Sequence, residues 1–450
     1  MDLHLALSIP LRFRQGHKML DRGAKRIYRL PGEIAQIQAV LPEIKSEPGT
    51  ALPVRLGVAE SPAAKVGWLF GISLFWNGIV SVFVMQIAQS WMTGHGEWFQ
   101  TLFMLPFVTV GIGLLAAFIR EAMIAARITP TEVEVETEPL SPGDHVRLSV
   151  RQPGPLRVDH LTADLVCEEK ITYRRGTDTY HESHRVWEQR LLDTGPKQID
   201  SDRPWEQTVN AQILADSPHS FRAPNNEIVW NVVIKGRVPR WPGFSYEFPL
   251  RVVSGQARVR LGRNGPGVQR EPRVDRSVQN MGMDGMWECG KCQEHIEGSF
   301  QTCWNCGTSR EGIEDPTFRP VAKTESLEPV HITLDEKRGC FAAGGTLRGR
   351  FRVAHDTAEI ARGVELTVLW YTEGKGDTDA GIVHEETFDG LRGEQDYPFS
   401  AALPLLPLTY YGRLLKIHWM VRVRVVKWGK DIVHDRPFVL LSIVQTSSGF

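Results

Sequence analysis

The sequence predicts a mainly β protein with a hairpin of two transmembrane helices in its N-terminal part. Three observations predict this class: two long runs without charged side chains, short alternating strand patterns through most of the remaining chain, and four cysteines crowded into one segment. At 450 residues the chain has room for two or three domains of ordinary size. Lysine and arginine number 52 against 53 aspartates and glutamates, so no global charge marks a nucleic-acid-binding protein.

The helices are predicted from residues 67–119, which contain two apolar runs. No charged side chain occurs between Lys65 and Glu97, and each run is long enough to cross a bilayer core of about 30 Å as a helix. The connector carries Trp91 and Trp98, which suit the membrane interface. We therefore expect two transmembrane helices; two buried helices of a soluble core are the alternative.

Basic side chains flank this pair of runs on one side. Arg55 and Lys65 lie just before the first run, Arg120 and Arg127 lie just after the second, and the connector has neither lysine nor arginine. This distribution predicts an integral membrane protein whose termini and large C-terminal part are cytoplasmic, with the lipid bilayer as one partner. The start of the chain lacks the pattern of a secretory signal. Residues 1–66 form a basic N-terminal segment that either lies on anionic lipid or is a solvated tail.

Two blocks, residues 130–253 and 329–446, consist of short runs of alternating apolar and polar residues, separated by Gly, Pro, Asn and Asp. This pattern is typical of all-β sandwiches, and both blocks have ordinary sandwich size. We expect two β-sandwich domains.

The two blocks share a match without gaps, PHSFRAPNNEIVW against PLTYYGRLLKIHW, which indicates a duplication. The matching residues are Pro218, Ser220, Phe221, Ile228 and Trp230 in the first block and Pro407, Thr409, Tyr410, Ile417 and Trp419 in the second. The strands that follow alternate, so one face of each should enter a core. The expected core residues are Ile228, Trp230, Val232, Ile234, Ile417, Trp419, Val421, Val423 and Val425. The residues expected to point outward are Asn231, Lys235, His418, Arg422 and Arg424.

A glycine turn, a strand, a long polar hairpin and then the proline-to-tryptophan unit follow one another in each block. This order resembles the arrestin-like superfamily over residues 130–253 and 330–446. The resemblance implies two β-sandwich domains that act as a non-enzymatic adaptor or scaffold for a protein partner. Arrestin-like domains usually follow one another directly, whereas a cysteine module separates them here. Strand patterns do not specify the ligand of such a protein.

The module contains two Cys-x-x-Cys pairs, Cys289 with Cys292 and Cys303 with Cys306, separated by ten residues. Each pair can fold as a tight knuckle, and the residues between them suffice for a hairpin that closes a tetrahedral zinc site. Four protein ligands leave no position for water, so the expected Zn²⁺ is structural. A redox dithiol or an iron–sulfur site is the alternative.

Residues 287–310 resemble a zinc ribbon and also the Ran-binding-protein type of zinc finger, which places a tryptophan two residues before the first cysteine, as Trp287 does. Ile296, Gln293 and Glu294 depart from the RNA-binding and ubiquitin-binding versions, so neither recognition is carried over. We also expect Gly307 to allow a sharp turn after the last cysteine, and Lys291 and Arg310 to offset part of the charge of the four thiolates. Phe300 and Trp304 are expected to pack over the metal knuckles, and His295 is expected at the surface.

Linkers of residues 254–286 and 311–328 flank the module. The first carries Arg258, Arg260, Arg263, Arg270, Arg273 and Arg276. A solvated basic linker is the default, and the alternative function is a membrane-tethered nucleic-acid-binding protein that uses the module and this linker.

Catalytic signatures are missing from the sequence, which has no Gly-x-Ser-x-Gly elbow, P-loop, His-Glu-x-x-His or kinase motif. We therefore predict no catalytic residues and no enzyme. The nearest candidate for a second metal site is the trio Asp178, His181 and His184 in a polar hairpin.

Overall fold

The structure is a computed structural model. It describes residues 41–258, 286–293, 295–297, 302–303, 306–314, 329–336, 338–428 and 431–442. Strands hold 47% of the residues and helices 20%, so the predicted mainly β class is confirmed. The strands form two groups that we call the first β block, within residues 46–252, and the second β block, within residues 330–441.

Two long helices, α1 (Pro62–Met92) and α2 (Trp98–Arg127), form a hairpin. Both are long and apolar enough to cross a membrane, and only 11% and 6% of their most apolar stretches are buried inside the protein. A core helix of a water-soluble protein would bury its apolar face, so this exposure favours membrane insertion. Each helix extends beyond the predicted apolar span, 67–119.

Polar groups join the two helices. Asn77 donates its side-chain amide to the carbonyl of Ser73 at 2.9 Å and to that of Gly111 at 3.1 Å. Trp76 donates its indole N–H to the carbonyl of Phe107 at 3.0 Å. A Cβ at Gly111 would lie 2.5 Å from Asn77 Oδ1, so this contact requires glycine.

The first β block contains two large sheets. One has the strand order β1-β2-β3-β4-β9, and the other has the order β10-β11-β6-β7 with β12 also paired to β11. The strands of the first sheet are β1 (Ser46–Pro48), β2 (Val54–Leu56), β3 (Glu132–Val135), β4 (His145–Gln152) and β9 (Trp205–Gln212). Those of the second are β6 (His160–Arg175), β7 (Asp178–Thr194), β10 (Phe221–Arg222), β11 (Asn226–Arg237) and β12 (Phe244–Leu250). A small ladder joins β5 (Leu156–Val158) to β8 (Lys197–Ile199).

The helical hairpin is inserted between two neighbouring strands of one sheet. β2 precedes α1 and β3 follows α2, yet Leu56 pairs with Val133 and Val54 with Val135. The carboxylate of Glu134 accepts hydrogen bonds from the β1–β2 loop, including one of 2.6 Å from the N–H of Ala51. The predicted first domain, 130–253, omitted β1 and β2 because strands of three residues carry almost no periodic signal.

The end of α2 packs on the first β block. Ile124 and Ile128 are buried in the same core as the sheets. The guanidinium of Arg127 lies 5.1 Å from the ring centroid of Trp241, and Arg120 donates to the carbonyl of Gly243 at 3.1 Å. The hairpin is therefore attached through packing as well as through its two chain connections.

The second β block also has two sheets, with the orders β15-β17-β20 and β16-β23-β22-β18-β19, and β21 pairs with β22. The first comprises β15 (Val330–Leu334), β17 (Thr346–Val353) and β20 (Asp396–Ala402). The second comprises β16 (Cys340–Ala342), β18 (Gly363–Gly374), β19 (Ala380–Phe388), β21 (Tyr410–Tyr411), β22 (Leu415–Val426) and β23 (Ile432–Leu441). A short helix, α3 (His355–Ile360), follows β17.

The matched segments of the two blocks have equivalent contacts. Trp230 donates its indole N–H to the carbonyl of Pro218, and Trp419 donates to that of Pro407, both at 3.0 Å. The hydroxyls that follow these prolines also act alike, since Ser220 Oγ accepts from Val252 N–H and Thr409 Oγ1 accepts from Leu440 N–H, both at 2.9 Å. Equal spacing in the sequence thus corresponds to equal bonding, as expected for a duplication.

All nine residues expected in the cores are buried, at 1% exposure or less. The expectation for the opposite faces was wrong for two residues. Asn231 is 7% exposed and Arg422 is 3% exposed. Arg422 is accommodated because its guanidinium donates to both carboxylate oxygens of Asp435, at 2.6 and 2.7 Å.

Candidate metal centre and the adjoining cleft

The four cysteines of the module converge. Their Sγ atoms lie within 4.8 Å of one another and none forms a disulfide. Cys289 Sγ is 3.4 Å from Cys306 Sγ, and Cys292 Sγ is 3.5 Å from Cys303 Sγ. Zinc–sulfur bonds of about 2.3 Å in a tetrahedral site place the sulfurs a little under about 4 Å apart, so donor type and spacing fit Zn²⁺.

Both cysteine pairs are built by the same backbone device. The N–H of Gln293 donates to the carbonyl of Cys289, and the N–H of Gly307 donates to that of Cys303, both at 2.8 Å. The residue after each pair has positive φ, 57° at Gln293 and 74° at Gly307. Glycine adopts this conformation freely, whereas a residue with a Cβ is strained there.

Thr308 supports the second pair. Its Oγ1 lies 3.3 Å from Cys306 Sγ, and its carbonyl accepts the N–H of Cys303 at 2.8 Å. Burial raises the pKa of the Cys306 thiol, but hydrogen bonds with Thr308, Cys289 and Cys292 together outweigh burial and lower the pKa to about 7. The thiolate is the form that binds metal, so Thr308 favours binding. Thr308 was not among the predicted site residues, although its hydroxyl two positions after the last cysteine was a usable signal.

The two basic residues of the module behave differently. Lys291 forms an ion pair of 2.8 Å with Glu314. This contact raises the pKa of Lys291, as do the charges of two of the cysteines. Lys291 therefore offsets part of the sulfur charge, as expected, whereas Arg310 lies 3.5 Å from Asp216 and connects the module to the first β block.

The module also packs on the second β block. Trp287 and Ile296 are paired across the two strands of the module, β13 (Met286–Glu288) and β14 (His295–Glu297). They share a buried apolar cluster with Cys340, Val439 and Leu441. The module is thus fixed between the blocks. Three expectations concern side chains outside the described part of the chain, those of Phe300, Trp304 and His295.

A cleft of about 490 Å³ lies where the first β block, the module and the second β block meet. β7 contributes His184 and Trp187, and the module contributes Thr302. The second β block contributes Arg413 and Lys416. The cleft thus combines an aromatic wall with basic groups.

Glu169 forms the floor of this cleft and joins the two blocks. Its carboxylate accepts the hydroxyl of Tyr410 at 2.7 Å and the backbone N–H groups of Arg413 and Leu414 at 3.1 and 2.6 Å. A Cβ at Gly412 would overlap this carboxylate, so glycine is required for the approach. Glu169 is 1% exposed, and three donors satisfy its buried charge.

A second polar contact joins the blocks beside the first. Asn226 donates its amide to Asp379 Oδ2 at 2.7 Å and to Thr372 Oγ1 at 3.0 Å. Asn225 donates to the same carboxylate from its backbone and its side chain. Burial raises the pKa of Asp379 despite these bonds. This contact between the blocks is specific, because each of these N–H donors of Asn225 and Asn226 has a defined acceptor in the second β block.

His219 completes the interface. Its Nε2 accepts the backbone N–H of Leu408 at 3.1 Å, which requires a neutral ring with the proton on Nδ1. Burial lowers the pKa of His219 to about 4, so the ring is neutral near pH 7. Phe221 adds an edge-on contact with Trp370, with centroids 5.6 Å apart.

The second metal candidate is not supported. Asp178, His181 and His184 all lie on the strand β7, where residues three apart face opposite sides. The ring of His181 contacts Thr172 Oγ1 at 3.0 Å, while His184 lines the cleft. Within the described residues, the four cysteines are the one group of His, Cys, Asp or Glu close enough to share a metal.

The described part of the arginine-rich linker forms contacts with the first β block. Arg258 donates to Asp144 at 2.6 Å and to Thr137 at 3.1 Å. The other linker arginines lie outside the described residues.

No family model matches the chain, and no curated protein matches it either.

Proposed function

We propose that the protein is a non-enzymatic, membrane-tethered adaptor. Two arrestin-like β-sandwich domains bind a protein partner, a structural Zn²⁺ holds the module between them, and the helical hairpin anchors the chain. One observation carries the proposal: the cleft between the blocks opens beside β7, which is the edge strand of its sheet among the described strands.

An edge strand beside a cleft suits an extended peptide. Such a peptide adds backbone hydrogen bonds at the free edge and places alternate side chains in the adjoining pocket. Val186 on β7 and Leu214 both line the cleft, and each is 38% exposed. Arg413 and Lys416 complement acidic side chains, so the expected partner segment is extended, with apolar and acidic residues.

The chemistry of the cleft supports binding over catalysis. Its most buried carboxylate, Glu169, already accepts three hydrogen bonds, and an acid–base catalyst needs access to substrate. The zinc site has four sulfur ligands, and such sites stabilise folds without opening a position to water.

The partner site can be tested in the intact membrane protein. A photo-crosslinking amino acid at Lys416 should capture one defined protein in cells, and Val186→Glu or Leu214→Glu should abolish this product. Val433→Glu is the matched control, because Val433 is 46% exposed on β23 and does not line the cleft. Equal capture by all three variants would remove the cleft from the proposal.

Two further measurements separate the remaining alternatives. Reporter fusions at the C-terminus should be active only on the cytoplasmic side; activity on the opposite side would reverse the proposed orientation. Steeply salt-dependent RNA or DNA binding by residues 254–310 would favour the nucleic-acid alternative. The described basic residues Arg258, Lys291 and Arg310 pair with carboxylates, which weakens that alternative.

A further inference from the structure

A second cavity, of about 530 Å³, lies where the helical hairpin meets the first β block. The end of α2 contributes Ile124, and β12 contributes Phe244 and Tyr246. Lys65 and Arg120 also line it. These two are the charged residues that end the uncharged runs of α1 and α2. They therefore mark the level of the lipid headgroups at this face of the membrane, if the hairpin is inserted as proposed.

The ends of the two helices meet at this level. Lys65 Nζ lies 3.5 Å from Glu121 Oε2, and Arg120 also pairs with Glu121. Arg120 donates a further bond to the carbonyl of Gly243. A guanidinium has five N–H donors, so these contacts leave Arg120 with donors for a ligand.

Tyr246 gives independent evidence for a ligand. It is 6% exposed and lines the cavity, and its hydroxyl has no hydrogen-bond partner among the described residues. A buried hydroxyl without a partner is unfavourable, so its presence calls for an explanation, and a bound ligand supplies one. Burial, together with the charge of Glu121, raises the pKa of Tyr246 to about 12, so the hydroxyl keeps its proton as a donor.

The charges around the cavity are mixed. Three basic and three acidic side chains line it: Lys65, Arg120, Lys170, Glu60, Glu121 and Glu247. A purely anionic ligand would be repelled by the carboxylates, whereas a ligand with both a phosphate and an ammonium group satisfies both signs. Apolar helix surface beside the cavity can accommodate acyl chains.

We propose that this cavity binds the headgroup of a zwitterionic phospholipid of the ethanolamine type. Arg120, Lys65 and the Tyr246 hydroxyl donate to its phosphate, and the carboxylates of Glu60 and Glu247 accept from its ammonium. The inference rests on the membrane insertion in the proposed function, but not on the partner cleft or on the zinc.

The test uses the full-length protein in nanodiscs that contain equal amounts of phosphatidylethanolamine and phosphatidylglycerol. Native mass spectrometry should show phosphatidylethanolamine retained selectively. Tyr246→Phe should weaken its binding about tenfold, as expected for one lost hydrogen bond to a charged group. This variant removes a hydroxyl that has no hydrogen-bond partner in the described part of the protein, so it should fold normally. Tyr180→Phe is the matched control, because Tyr180 lies far along the β6–β7 hairpin and is 43% exposed.

A double variant, Glu60→Gln with Glu247→Gln, tests the ammonium site. It should reduce retention of phosphatidylethanolamine and leave retention of phosphatidylglycerol unchanged. Equal retention of the two lipids by the wild-type protein, or unchanged retention in Tyr246→Phe, would overturn the proposal. So would displacement of the lipid by inorganic phosphate, which would identify a free-phosphate site. Release of the protein from membranes by alkaline carbonate would instead contradict the membrane tether itself.

Discussion

The carboxylate of Glu169 in the first β block accepts a hydrogen bond of 2.7 Å from the hydroxyl of Tyr410 in the second. These residues lie 241 positions apart and on opposite sides of the cysteine module. The two blocks therefore contact each other directly, although the module separates them along the chain.

Glu169→Gln should destabilise this interface. The amide oxygen can replace one carboxylate oxygen, but the amide NH₂ group then faces the N–H of Leu414 or, in the other orientation, the N–H of Arg413. We expect a loss of about 1–3 kcal/mol in the free energy of unfolding, measured by chemical denaturation of the detergent-solubilised protein. Glu168→Gln is the control, because Glu168 is partly exposed and forms surface ion pairs. Equal losses of unfolding free energy in the two variants would show that the interface contacts of Glu169 contribute no more to stability than a surface carboxylate does.

Stability should fall as the pH drops from about 6.5 towards 4. The pKa of His219 is about 4 in the folded protein and 6.5 in the unfolded chain, so the unfolded chain binds the proton first. At about 1.4 kcal/mol per pKa unit, the free energy of unfolding should fall by about 3 kcal/mol over this range. The raised pKa of Asp379 acts in the opposite direction, because the folded protein then holds the extra proton.

Comparing the acid loss of unfolding free energy in wild type and in His219→Gln isolates the contribution of the histidine. Glutamine keeps an acceptor for the N–H of Leu408 and does not titrate. Unfolding curves at several pH values should therefore show a smaller acid loss in the variant. Parallel curves for both proteins would contradict the assignment.

Metal analysis of the purified protein should give about one Zn per chain. Cys303→Ser should lose the metal, whereas Cys340→Ala should keep it, since Cys340 packs beside the module but is not one of the four clustered cysteines. Bound iron, or retention of zinc by Cys303→Ser, would contradict a four-cysteine zinc site.

Gln293→Gly should stabilise the first knuckle by about 1 kcal/mol, because it removes a Cβ from a backbone with φ of 57°. Gly307→Ala should have the opposite effect at the equivalent position. The rate at which a chelator removes zinc should fall in the first variant and rise in the second. A faster release from Gln293→Gly would show that its side chain makes a contact that outweighs the strain.

Periodic and repeated features of the sequence predicted most of the fold. The long uncharged runs identified α1 and α2, and the match around Trp230 and Trp419 identified equivalent strands before any contact was known. The two Cys-x-x-Cys pairs brought their four sulfur atoms together as expected. Each of these signals lies in short stretches of sequence, so it can be recognised without knowing which distant residues those stretches contact.

Features that depend on distant residues were not predictable. Asn226 contacts Asp379, which lies 153 positions away along the chain, and nothing near Glu169 in the sequence indicates its contact with Tyr410. Arg422 was expected to face solvent, because alternation gives the side of a strand but not what covers it. The strands β1 and β2 were missed because each has three residues and because β3, which pairs with β2, follows the whole helical hairpin.

The position of that hairpin has a practical consequence for handling the protein. Leu56 and Val133 are antiparallel neighbours, so the chain leaves the sheet and returns to it at adjacent points. A two-residue Asn-Gly turn in place of residues 57–132 would close the same ladder as an ordinary β-hairpin. Topologically, the helical hairpin is an insertion between two adjacent strands, but Ile124 and Ile128 at the end of α2 belong to the core of the first β block. A shortened form for crystallisation and binding assays would therefore also need polar residues on the core surface that these two side chains cover.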